Sequence, residues 1–167
     1  MNIKSLVITD LDYDKNAQTE DDIMESNSTN ATINEFLKEA LGKSSPTVKE
    51  LYDWQNSVKS IVVDENICLV FQSKNDHYAR TLEEAMLAKL FNVSVLDLKT
   101  KIEWTDLRKE HNLKFVIPRN KNSFSIRTII EHTANNKTDF MYSVILNNYV
   151  NEMLPRYIEE GLLWLGK

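Results

Sequence analysis

The sequence predicts an α/β fold: a mostly parallel sheet flanked by helices, with a β-hairpin and helical additions. Three observations carry this. The run Lys4-Ser5-Leu6-Val7-Ile8-Thr9 is apolar and rich in β-branched residues, and it stops abruptly at Asp10. It reads as a strand buried on both faces, as at the centre of a parallel sheet. Two more apolar runs, Ser60–Val63 and Ile67–Gln72, flank Asp64-Glu65-Asn66 in the manner of a hairpin. The remaining segments place apolar residues mainly at helical spacing.

Taken in order, the first strand gives way to the acidic stretch Asp10-Leu11-Asp12-Tyr13-Asp14-Lys15-Asn16. Residues 17–28 show no period and read as a solvated loop. Thr29 or Asn30 then caps a helix with Ile33, Phe36, Leu37, Ala40 and Leu41 on one side and Gly42 as its stop. A short helix follows Pro46, carrying Val48, Leu51, Tyr52 and Gln55. After the hairpin, Asp76–Leu90 reads as a helix through Leu82, Ala85, Met86, Lys89 and Leu90. Residues 101–121 are mixed and basic, with an apolar run at Lys114–Ile117 that ends at Pro118. Ser125–His132, Asp139–Val150 and Leu154–Leu165 read as three further helices, the last with Ile158, Leu162 and Leu165 on one stripe. No repeat and no composition break divides the 167 residues, so they are expected to form a single domain.

Composition excludes several classes. Three glycines and three prolines rule out collagen-like and linker-like chains. The apolar runs are far too short for a membrane span, and no secretory h-region opens the chain. The single cysteine, Cys68, excludes a disulfide scaffold and a cysteine-based zinc site, and fits the reducing cytoplasm. A net charge of −5 argues against gripping nucleic acid by a bulk positive field. That charge is uneven: residues 1–30 carry −5, residues 31–100 carry −2 and residues 101–167 carry +2.

The early acids are the leading chemical signal. Asp10 and Asp12 lie just past a strand end, where open α/β sheets bind ligands. At i and i+2 they can converge on one hard cation, and oxygen ligands suit Mg²⁺ or Mn²⁺. The bland alternative is that they solubilise a loop and cap turns. An EF-hand is excluded, because Lys15 stands where that loop needs glycine and Asp21 replaces its bidentate glutamate. His77, His111 and His132 have no mutual spacing that makes a metal site. The basic residues Arg119, Lys121 and Arg127 either follow a DNA backbone or form a solvated surface. Trp164 with Tyr157, Leu162 and Leu165 reads as a packing stripe.

Four further segments occur in a telling order: Ser26-Asn27-Ser28-Thr29-Asn30-Ala31-Thr32-Ile33, Arg80-Thr81-Leu82-Glu83-Glu84-Ala85, Asn136-Lys137-Thr138-Asp139-Phe140 and Pro155–Leu165. With the strand and its Asp-x-Asp, they resemble the C-terminal catalytic half of the OLD-family (overcoming lysogenization defect) ATP-dependent endonucleases, including the nuclease subunit of Gabija-type phage-defence systems. The resemblance runs from Ser5 to Leu165 and is weakest over residues 43–75 and 91–125. It implies a TOPRIM-like catalytic domain over residues 1–167 that cleaves DNA with two Mg²⁺ or Mn²⁺ ions. By the same resemblance Asp10, Asp12 and Glu83 hold metal, with Glu84 as the alternative to Glu83, and Lys137 assists at the scissile phosphate. Arg80 meets either phosphate or Glu84. DNA, an ATPase domain or chain of the same protein and further copies of the chain are the implied partners, with no membrane.

Two features of that family have no counterpart here: a glutamate on an earlier strand, and the ATPase with its phosphate-binding loop. The expectation is therefore a partial domain lacking its first strand, with an incomplete metal site and little activity alone. Two rivals remain. An aspartyl-nucleophile phosphatase would use Asp10 and Asp12 differently. A non-catalytic assembly module would pair its open sheet edge with a partner chain.

Overall fold

β1 (Ser5–Ile8) runs parallel to β3 (Ile67–Val70), in a register that sets Leu6 beside Cys68 and Ile8 beside Val70. On its other side β3 pairs antiparallel with β2 (Val62–Asp64), giving the order β1-β3-β2. This is a computed structural model, and it describes residues 3–57, 62–64 and 66–167. Ser60, Ile61 and Glu65 of the expected hairpin lie outside the described residues, but β2 and β3 form it. A separate antiparallel pair joins β4 (Lys99–Thr100) to β5 (Ser123–Phe124). Helices flank this small sheet, so the α/β class read from the sequence is the one observed.

The first strand is a correction. Among the described residues β1 pairs only with β3, and Ser5 and Ile8 are exposed, so it is an edge strand and not one buried on both faces. Of its two apolar inner residues, Leu6 is covered by α9 (Arg156–Leu165) and Val7, on the opposite face, packs against the core. That helix reaches the sheet through Gly161, where a Cβ would stand 2.8 Å from Leu6 Cδ1. α9 buries Tyr157 and Gly161, whereas Leu162 and Leu165 of the expected stripe are exposed.

Residues 17–28 are not a plain loop. Thr19 and Asp22 form a reciprocal capping box that starts α1 (Glu20–Glu25), and Ile23 anchors it in the core. α2 (Ala31–Leu41) takes Asn30 as its cap and ends at Gly42, whose φ of 64° is the left-handed value glycine tolerates. α3 (Val48–Ser57) follows Pro46 as expected and buries Leu51 and Tyr52.

The helix expected from Asp76 starts later, as α4 (Leu82–Phe91) capped by Thr81. Upstream lie a 3-10 turn at Lys74–Asp76 and two residues in the left-handed region, His77 and Tyr78, with φ of 57° and 62°. These break the helix before Arg80. The basic stretch after residue 100 opens with α5 (Lys101–Glu110), whose buried Trp104 donates its indole N–H to the Phe124 carbonyl at 2.9 Å. α6 (Ile126–Thr133), α7 (Lys137–Leu146) and α8 (Val150–Met153) follow. The single helix expected over 139–150 is divided at Asn147 and Asn148, the latter with φ of 63°. α4 packs against both α6 and α8, and α9 brings the end of the chain back to β1 and β3.

Candidate functional site

Because β1 and β3 are parallel, the chain leaves both at the same end of the sheet. Asp10 and Gln72 therefore emerge side by side. The Leu11 N–H donates to Gln72 Oε1 at 2.6 Å, and Gln72 Nε2 donates to Asp10 Oδ1 at 2.8 Å. The Leu82 N–H, at the start of α4, is a further donor to the Asp10 carboxylate. Burial pushes the Asp10 carboxyl above its ordinary value. The Gln72 hydrogen bond opposes that rise, while repulsion from Asp12 and then from Glu83 adds to it. Three carboxylates thus share one neighbourhood.

The backbone between the two aspartates is clamped by the segment before α2. Asn30 Nδ2 donates to the Asp10 carbonyl at 2.7 Å and to Thr9 Oγ1 at 2.9 Å. Ser28 Oγ donates to the Leu11 carbonyl, and Thr29 gives both its N–H and its hydroxyl to the Asp12 carbonyl. Asp12 sits at φ of 45°, a position that favours glycine, and its own N–H donates to the Arg80 carbonyl at 3.1 Å. Leu11 and Tyr13 are buried on either side. The acidic loop is therefore a held structure, and Ser28, Thr29 and Asn30 do more than cap a helix.

Glu83 and Glu84 occupy the first turn of α4, where the helix dipole favours acids. Both are buried, with different partners. Glu84 points inward, is 1% exposed, and accepts the Arg80 N–H at 2.8 Å with Arg127 Nε 3.6 Å away. Burial raises its carboxyl above the ordinary value, against the opposing charge of Arg127. Glu83 faces the acids and pairs with Lys137 Nζ at 3.0 Å. Arg80 reaches Asp12 Oδ1 at 3.3 Å and the Tyr13 carbonyl at 3.1 Å, so its guanidinium does not pair with Glu84.

The fold therefore gathers Asp10, Asp12, Glu83 and Lys137 from three distant stretches of chain. The donor chemistry, all carboxylate oxygen, fits a hard divalent ion. The arrangement is not a closed cage: among the described residues no group of three or more Asp, Glu, His or Cys side chains stands ready to hold a metal. Asp12 and Glu83 are turned instead to Arg80 and Lys137.

Other expected residues fall elsewhere. Arg127 is not on a DNA-facing surface. It is 5% exposed, donates to the Ala17 carbonyl at 2.6 Å and to the Tyr13 hydroxyl, and stacks over the Tyr13 ring at 5.2 Å. Arg119 and Lys121 are exposed. His111 bonds the Tyr149 hydroxyl at 2.8 Å and packs on Phe91, a structural role. A groove of about 580 Å³ lies between α3, β3 and α9, and none of Asp10, Asp12, Glu83 or Lys137 lines it.

Gln72 and Tyr157 were not singled out as site residues by sequence reasoning. The signal available for Gln72 was a lone amide closing an apolar strand, where a polar group must find partners on burial.

Over its whole length the chain aligns with Endonuclease GajA of Bacillus cereus (strain HuB5-5), at 25% identity across 183 aligned positions. It spans 24% of that protein's length. No protein-family model and no solved structure matches the chain.

Proposed function

We propose that the chain is a TOPRIM-like, metal-dependent endonuclease domain acting on DNA. The observation that carries this is the gathering of Asp10, Asp12, Glu83 and Lys137 at the carboxyl end of the parallel strand pair. The full-length alignment with part of an endonuclease supports it independently. On the same reading an ATPase part and further copies of the chain are its partners, and phage defence is its setting.

Bound Mg²⁺ or Mn²⁺ would activate water and stabilise the leaving oxygen of a phosphodiester. Each residue has a part that its surroundings define. Asp10, half-buried and held by Gln72 and Leu82, would be a fixed oxygen ligand. Asp12 and Glu83, paired here with Arg80 and Lys137, would be the other residues to hold the ion. Lys137, beside Glu83, would neutralise charge gathering on the phosphoryl oxygens. Thus an acidic domain engages a polyanion through its metals.

The test is cleavage of supercoiled plasmid in Mn²⁺ by the chain joined to an ATPase part, with nicking expected to need both aspartates. Asp10→Ala and Asp12→Ala should abolish cleavage, and Lys137→Ala should slow it about 100-fold. Undiminished nicking by the two aspartate variants would sink the proposal.

A further inference from the structure

Gln72 is wholly buried, and each polar group it owns is committed. Oε1 accepts from the Leu11 N–H at 2.6 Å; Nε2 donates to Asp10 Oδ1 at 2.8 Å and lies 3.2 Å from the Tyr157 hydroxyl. The two ends of the amide are not interchangeable. Reversed, it would present Oε1 to a carboxylate oxygen and Nε2 to an N–H, losing both main contacts. Leu11 lies between the two aspartates, so one side chain fixes the Asp10 carboxylate and the backbone leading to Asp12. Tyr157 is itself buried, and its hydroxyl is kept protonated by burial and by the nearby Asp10 charge.

We propose that Gln72 is a positioning residue that aims the Asp10 carboxylate at a divalent cation, with Tyr157 holding the Gln72 amide in register. This rests on the reading of Asp10 as a metal ligand. A ligand held by a buried outer partner loses less orientational freedom on binding, and removing such partners from metal sites weakens affinity about 10–100-fold.

The measurement is Mn²⁺ affinity of the 167-residue chain, followed by the electron paramagnetic resonance of the free ion, with circular dichroism confirming that each variant is folded. Gln72→Met should weaken affinity about 10–100-fold. Tyr157→Phe should weaken it by a smaller factor, about threefold. The double variant should bind no more weakly than Gln72→Met alone, because Tyr157 acts through Gln72. Multiplying losses in the double variant would make the two residues independent and overturn the proposal. Asp10→Asn separates the two readings: no binding by the wild-type chain, or undiminished binding by Asp10→Asn, defeats the metal reading itself. Loss in Asp10→Asn with full affinity in Gln72→Met defeats only the positioning role. Should Gln72→Met fail to fold, Tyr157→Phe decides, and unchanged affinity there overturns the proposal.

Discussion

Two adjacent glutamates, alike in sequence and both buried, meet different partners. Glu84 is buried against Arg127, which in turn holds Tyr13 and the Ala17 carbonyl. Removing one partner of a buried ion pair strands the other, so Arg127→Met should cost about 3–5 kcal/mol of stability in urea unfolding. Adding Glu84→Gln to it should recover part of that loss. Asp76 is a second buried acid, accepting from the Ser73 N–H and hydroxyl at 2.8 Å and from the Arg156 N–H. Burial nevertheless lifts its carboxyl above the ordinary 3.8. A raised folded value means the folded state binds the proton more tightly. Its contribution is therefore fully present below 3.8 and is lost as pH rises through the raised folded value. Wild-type stability should fall across that window more steeply than Asp76→Asn, measured by denaturant melts at stepped pH. At this scale Asp10 and Asp12 were legible, because two acids ending an apolar strand is a local pattern. The partners Gln72, Arg80 and Arg127 were not, because each bond to the acidic loop spans more than sixty residues.

The elements that sequence placed well are those whose signal is periodic and capped locally. α2 has Asn30 at one end and Gly42 at the other, and α3 begins just after Pro46. α1 escaped notice because a six-residue helix with one buried side chain has almost no period; its capping box and the packing of Ile23 define it. The segment before α4 misled in the other direction, since left-handed His77 and Tyr78 stop a pattern that looked continuous. Contacts around Tyr78 fix that conformation: its carbonyl accepts the Tyr13 hydroxyl and its own hydroxyl donates to Glu20 at 2.7 Å. Gly161 sets how closely α9 approaches the sheet. A Cβ there would press on Leu6 and stand 3.1 and 3.2 Å from the γ-carbons of Val70. Alanine gains helix propensity of about 1 kcal/mol, yet overpacking costs about 1–3 kcal/mol. Gly161→Ala should therefore be net destabilising in thermal melts, and Leu6→Ala added to it should relieve the closest contact.

On the scale of the whole molecule, the site joins the two halves of the chain: the acids come from the sheet half, and Glu83 and Lys137 from the helical half. A cation bound between them should stabilise the folded state as a unit. At a hundredfold excess over its dissociation constant, Mn²⁺ would add about 2.7 kcal/mol, a rise in melting temperature of about 5–10 °C. Chelation should reverse it, and Asp10→Asn should remove it. Unchanged melting in saturating Mn²⁺ would count against the metal site. No helix among the described residues is long and apolar enough to cross a membrane. What the sequence determined by itself was the α/β class, the hairpin, most of the helices and the acidic strand end, since each follows from periodicity or capping within a few residues. Only the tertiary structure decided which glutamate turns to the acids, which basic residues are buried partners, and that β1 lies at an edge of the described sheet. Those outcomes depend on burial and charge pairing between segments far apart in the chain, and no local pattern carries that information.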